Sequence, residues 1–255
     1  MARRTGPSAS GVLALPMELA TATTEELEAA RYFDRAPAPS DLDVAFAALL
    51  AVAADGTLDD EAIAAAREEL LRALRAQSAS TMGERAARLV GDLAQAAASG
   101  ALDAEAVRSV AEVLTFVDDP AVHRSLSATA RSTAAAGVER ELALVGLRAS
   151  GGPGVRAAID VAASADSPAL RAFATAELGS TLAHPDAIES RRSGLATVTD
   201  NLEHADAGVR RAALQSLHGA GAAWTEPSEA SLRQIAEADS DPINRSIASA
   251  ILRRW

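Results

Sequence analysis

The sequence predicts an all-α fold of stacked helical hairpins, and three observations carry that prediction. A short phrase returns four times: Asp119-Pro-Ala-Val-His-Arg124, Asp166-Ser-Pro-Ala-Leu-Arg171, Asp206-Ala-Gly-Val-Arg210 and Asp241-Pro-Ile-Asn-Arg245. Successive aspartates lie 47, 40 and 35 residues apart, the scale on which repeated helical hairpins stack. A second echo, Gly56-Thr-Leu-Asp-Asp-Glu-Ala-Ile63 and Gly100-Ala-Leu-Asp-Ala-Glu-Ala-Val107, repeats after 44 residues. Apolar residues elsewhere follow the 3.6-residue period of a helix, and alternating strand-like runs are absent from the sequence.

Residues 1–22 read as a tail. Arg3 and Arg4 precede a short apolar stretch, which Pro16 and Glu18 interrupt too early for a signal peptide. Thr23-Thr-Glu-Glu26 has capping-box spacing and predicts a helix through Tyr32 and Phe33, ended by Pro37 and Pro39. Ser40 caps the next helix, with Leu42, Phe46, Leu49 and Leu50 on one face. The turn at 54–57 leads into a helix carrying Ile63, Leu70, Leu71 and Leu74. Under the 44-residue shift, Phe46, Leu49 and Leu70 fall opposite Val90, Leu93 and Leu114. Segments 41–76 and 84–118 are therefore expected to be copies of one hairpin, and 23–118 a set of diverged N-terminal hairpins.

The regular repeats are expected over 119–255, continuous with the first set in one domain. A helix with Val122 and Leu126 precedes one with Val138, Leu142 and Val145. Gly151-Gly-Pro-Gly154 reads as an inter-hairpin loop, followed by a short helix with Val155, Ile159 and Ala162. Helices at about 167–183, 186–203, 206–219, 226–238 and 241–254 follow. Ser167-Pro168, Thr225-Glu-Pro227 and Asp241-Pro242 mark three of their starts, a small polar cap with Pro in the first turn. The whole makes five to six hairpins.

Composition limits the chemistry. With 255 residues and 49% apolar content the chain can bury a core, although much of that content is Ala, which buries little area. All 24 basic residues are Arg, and neither Lys nor Cys occurs. A Walker-type phosphate loop and Schiff-base catalysis are excluded for want of Lys. Thiolate catalysis, disulfides and cysteine metal sites are excluded for want of Cys. The net charge of −11 argues against nucleic acid as a general partner. No apolar run approaches the roughly 20 residues needed to cross a bilayer, so no membrane insertion and a cytoplasmic location are expected.

The segment from Asp206 to Leu217 fits Asp-x-x-Val-Arg-x-x-Ala-x-x-x-Leu and resembles the first helix of a HEAT-type repeat. The resemblance spans 166–254 and extends to 119–130. His123 and Asn244 stand where the pattern has Arg, with Arg124 and Arg245 one residue later. It implies a right-handed α-solenoid of antiparallel helix pairs, whose concave face, lined by the second helix of each pair, holds a protein partner. A non-enzymatic scaffold or adaptor is the expected function. The alternative that the resemblance implies is an enzyme, such as a DNA glycosylase of alkylated bases or a chromophore lyase.

No catalytic residue, metal site or cofactor is expected. His123, His184, His204 and His218 lack ligand spacing, and Asp55-Gly-Thr-Leu-Asp-Asp-Glu61 lacks the alternation of a calcium loop. The repeated Asp119 and Arg124, Asp166 and Arg171, Asp206 and Arg210, and Asp241 and Arg245 are expected to form a structural ladder between repeats. Partner contacts are expected from Arg191, Arg192, Arg211 and Arg233. In the adjacent pairs 191–192 and 210–211, both arginines cannot face inward. Trp224 and Trp255, the two tryptophans, join this set because interfaces favour Trp and Arg.

Overall fold

The computed structural model describes residues 60–76, 79–182, 188–220 and 226–253, with 44–45, 47–48 and 51 ahead of them. The expected tail, the helix at 24–33, the Gly56 turn, His184, Trp224 and Trp255 lie outside the described residues. Eleven helices follow in order: α1 (Asp60–Arg75), α2 (Ala79–Ala98), α3 (Ala104–Ala111), α4 (Pro120–Arg131), α5 (Gly137–Gly146), α6 (Gly152–Ser164), α7 (Pro168–Thr181), α8 (Ile188–Asn201), α9 (Ala207–Ala220), α10 (Glu226–Ala238) and α11 (Pro242–Leu252). A 3-10 segment, Glu112–Phe116, prolongs α3. No strand occurs among the described residues.

Each helix from α2 onward packs on its next-but-one neighbour. One layer is α2, α4, α6, α8 and α10, and the other is α3, α5, α7, α9 and α11. The closest sequential pairs are α2 with α3, α4 with α5, α6 with α7, α8 with α9 and α10 with α11, five hairpins among the described residues. Between the layers lies one core, in which Leu93, Leu114, Leu126, Leu142, Leu170, Leu178, Leu202 and Leu214 are fully buried. Each such Leu contributes about 2 kcal/mol by leaving water. Glycine and alanine let the helices approach. A Cβ on Gly83 would stand 2.8 Å from the Ala121 carbonyl, and one on Gly179 would stand 2.9 Å from the Ser216 Cα.

The repeated phrase acts at two helix ends at once. Its acid or hydroxyl caps the helix it opens, accepting from an N–H that has no helical partner. Asp119 accepts from Ala121 at 2.7 Å, Asp206 from Gly208 at 2.8 Å and Asp241 from Ile243 at 2.8 Å. At 166–171 the cap is Ser167 rather than Asp166. The arginine turns back and donates to carbonyls at the end of the previous helix or in the loop that follows it. Arg210 reaches the His204 and Ala205 carbonyls, each at 2.8 Å, Arg245 reaches that of Asp239 at 2.5 Å, and Arg171 that of Ala163. Arg140 and Arg191 do the same for Ala130 and Leu182 outside the phrase. A positive charge at a helix C-terminus also complements the helix dipole.

The phrase does not open equivalent helices. At 166, 206 and 241 it opens α7, α9 and α11 in one layer, whereas at 119 it opens α4 in the other. Arg124 accordingly has no preceding hairpin loop to close and is exposed. The glycine run is a second correction. Residues 152–154 are the first turn of α6, not a loop, and only Gly151 lies outside the helix, with φ 63° and ψ −125°, which favours glycine. Gly154 is required there because a Cβ would come within 2.3 Å of the Leu147 carbonyl.

Candidate interaction surface

Most arginines of the α3 to α11 layer are engaged within the protein. At its C-terminal end Arg210 on α9 grips Asp239 with two bonds, Nε at 2.7 Å and Nη2 at 2.8 Å. The Asp239 side chain is 1% exposed. It also accepts from the Asp241 N–H at 2.8 Å and faces the buried Asn244, which donates to the Ala207 carbonyl at 3.0 Å. Arg211 pairs with Asp241 and donates to the Asn244 side chain. This clamp joins α9, the end of α10 and the start of α11.

Hydrogen bonding from Arg210, the Asp241 N–H and Asn244, with the Arg210 charge, holds the Asp239 carboxyl at about 2, below its ordinary 3.8. An acid whose folded value is depressed stabilises the fold above its unfolded value and loses that contribution as pH falls through the folded one. Asp239 should therefore contribute about 2 kcal/mol at neutral pH, lost between about pH 4 and pH 2. Urea unfolding of the wild type and Asp239→Asn over that range measures it: the difference between them should shrink on acidification, and a constant difference would assign the pH dependence to other carboxyls.

A second cluster surrounds α5. Residues 142–147 are all buried, and six consecutive positions cover the whole circumference of a helix. α5 packs on α2, α3, α4, α6, α7 and the 3-10 segment. Arg148, just past its end, donates to Glu177 on α7 through Nε and Nη2, both at 2.7 Å, and to Glu112 at 2.9 Å. Arg108 on α3 lies 5.7 Å from the ring centroid of Phe173 on α7 and 3.6 Å from Glu141 on α5. Burial raises the Glu141 carboxyl above its ordinary value, and Arg108 opposes that. Side chains from α3, the 3-10 segment and α7 thus meet over α5, which closes that layer inward there. Arg148→Gln would leave the buried Glu177 without its cation. It should cost about 2 kcal/mol and enlarge the radius of gyration in small-angle scattering while helicity by circular dichroism stays near wild type.

The arginines expected to touch a partner divide. Arg191 donates to the Leu182 carbonyl at 3.1 Å, and Arg211 is held by Asp241 and Asn244, so both serve the fold. Arg233 is exposed and pairs with Glu229 on its own helix at 2.6 Å. Arg192 is exposed. The expected Asp–Arg ladder is discontinuous: Arg210 engages the next hairpin through Asp239, Arg171 and Arg245 engage only carbonyls among the bonds formed, and Asp166 and Arg124 face solvent. His204 accepts the Asp206 N–H through Nδ1 at 3.0 Å, and no group of three metal-ligating side chains occurs among the described residues. Glu112, Glu177, Arg148, Asp239, Arg108 and Phe173 were not singled out by the sequence. The signal that could have found three of the pairs is a constant separation: Arg131–Asp160, Arg148–Glu177 and Arg210–Asp239 are each 29 residues apart.

Helical hairpins stacked in two layers make this an α-solenoid. No known family profile matches the chain, and no curated protein matches it either. Among solved structures it is similar to the complex of CpcE and CpcF of phycocyanin lyase from Nostoc sp. PCC7120, at 21% identity and a TM-score of 0.49. That similarity covers 63% of this chain and 98% of the other. The expectation of a non-enzymatic protein is corrected by this neighbour, which is a lyase by name. No helix among the described residues is long and apolar enough to cross a membrane.

Proposed function

We propose that this chain works by holding a protein partner against its helical stack. The observation that supports this reading is the two-layer architecture itself. In the layer of α2, α4, α6, α8 and α10 each helix packs on the next, so the outer face of that layer runs along five successive hairpins. Solenoids use such extended faces for binding. Exposed Ile188, Ile243 and Phe116 on three different elements add apolar contact points along the stack. Affinity purification from the source cells, with native mass spectrometry of the eluate, tests the proposal. A stoichiometric complex with one protein is the expected result, and recovery of the chain alone under mild conditions would overturn it.

A second reading adds chemistry on the bound protein. It comes from the neighbour, the complex of CpcE and CpcF of phycocyanin lyase. Under this reading the chain would attach a chromophore to a protein held on the stack or remove one from it. The absorbance spectrum of the purified partner, before and after incubation with the chain and free chromophore, separates the readings. A spectral change that requires the chain supports the lyase reading, and an unchanged spectrum leaves binding as the function.

A further inference from the structure

Three arginines of one layer stand apart from the other arginines of the stack. In the layer of α3, α5, α7, α9 and α11, Arg108, Arg140, Arg148, Arg171, Arg210 and Arg245 are engaged by carboxylates, a ring or carbonyl oxygens. In the other layer Arg131, Arg191 and Arg233 are engaged too, but α4, α6 and α8 each also present one exposed arginine outside such bonds: Arg124, Arg156 and Arg192. Each is the fifth residue of its helix. None makes an ion pair or hydrogen bond with the described residues. The three helices pack side by side, and each opens a hairpin, so they run in one direction. Equal positions on parallel neighbours form a row across the stack, with steps of about 8–10 Å between helix axes.

We infer that the row Arg124, Arg156 and Arg192 binds an acidic, extended segment of the protein partner. The inference rests on the binding role proposed above and gives it a place and a chemistry. An extended chain advances ~3.3 Å per residue, so carboxylates three residues apart match steps of about 10 Å. Three guanidinium groups in an otherwise acidic protein of net charge −11 form a local contrast of charge that selects acidic ligands and repels basic ones. An acidic peptide fits better than a nucleic acid. The exposed carboxylates Glu189, Asp160 and Asp200 on the same helices would repel a continuous phosphate backbone, whereas a peptide can place its acids only where the arginines are. Exposed Ile188 lies one turn before Arg192 on the same face of α8 and offers an apolar contact beside it.

The test uses the whole chain and a fluorescein-labelled peptide of five Glu-Ser-Ala repeats, read by fluorescence anisotropy at low ionic strength. A Gln-Ser-Ala peptide and a labelled oligothymidylate of equal charge serve as comparison probes. The wild type should bind the acidic peptide, lose it at high salt and bind the glutamine peptide much more weakly. Replacing all three arginines by glutamine should weaken binding about tenfold, the sum of three exposed charge pairs. Arg131→Gln, which removes an arginine already paired with Asp160 at 2.6 Å, should leave affinity unchanged. Should the triple variant misfold by circular dichroism, the three single variants carry the test, each with a smaller loss in the same direction. Equal binding by the wild type and the variants at 124, 156 and 192, no binding at all, or preference for the oligonucleotide would overturn the inference. Recovery of the native partner by the triple variant as by the wild type would overturn this row while leaving the binding function standing. Failure of the wild type to recover any partner would remove the function itself.

Discussion

Replacing Asp239 by alanine should lower stability by about 3–5 kcal/mol, the largest loss expected of any polar substitution in this chain. The reason is what remains behind. Arg210, 13% exposed in its side chain, would keep its charge among buried groups with two of its bonds unmade. The Asp241 N–H and the Asn244 amide would lose an acceptor as well. Because Asp239 joins α9 to the last hairpin, the loss should fall on the C-terminal end of the stack. Hydrogen exchange read by mass spectrometry checks this: amides of α10 and α11 should gain exchange in the variant, while those of α2 and α4 keep wild-type protection. Uniform exchange along the chain would show that the stack unfolds as one unit. Arg210→Ala should cost less, since Asp239 would retain its bonds from Asp241 and Asn244.

Gly179→Leu should destabilise by about 3 kcal/mol, at the upper end for overpacking. Gly179 faces Ser216 where α7 and α9 approach, and any Cβ would meet backbone rather than a yielding side-chain tip. Ser216 cannot withdraw without breaking its 2.6 Å bond to the Thr175 carbonyl. Asn201 bonds to the Thr175 hydroxyl at 2.8 Å and the Ala162 carbonyl at 3.1 Å, so the displacement would reach α6 and α8. Urea denaturation of Gly179→Ala and Gly179→Leu gives the measurement. The two should fall in order of side-chain size, and a neutral leucine would show that α7 and α9 can separate at small cost.

Local sequence signals located the helices well. Ser167-Pro168 and Asp241-Pro242 begin α7 and α11 as their caps require, and the apolar period recovers the buried Leu170, Leu178 and Ile251. The glycine run at 151–154 was misread because Gly and Pro mark loops and helix starts alike. Here close contact with Leu147, absent from any local pattern, decides between them. The expected contact arginines were less legible. Arg191 and Arg192 are adjacent and identical, and which of them turns inward depends on where the Leu182 carbonyl lies.

The sequence alone determined an all-helical chain and the starts of α4, α7, α9 and α11 at the repeated phrase, because these rest on contacts within a few residues. Only the tertiary structure decided which helices share a layer. That assignment separates Arg124 from Arg171, Arg210 and Arg245, though all four occupy one phrase. Arg171, Arg210 and Arg245 find carbonyls ahead of their helices and are engaged there, whereas Arg124, Arg156 and Arg192 are exposed and make no ion pair or hydrogen bond with the described residues. Which arginines stay exposed is therefore fixed by stacking between residues some thirty to forty apart, a distance over which a repeat can be recognised but its facing cannot.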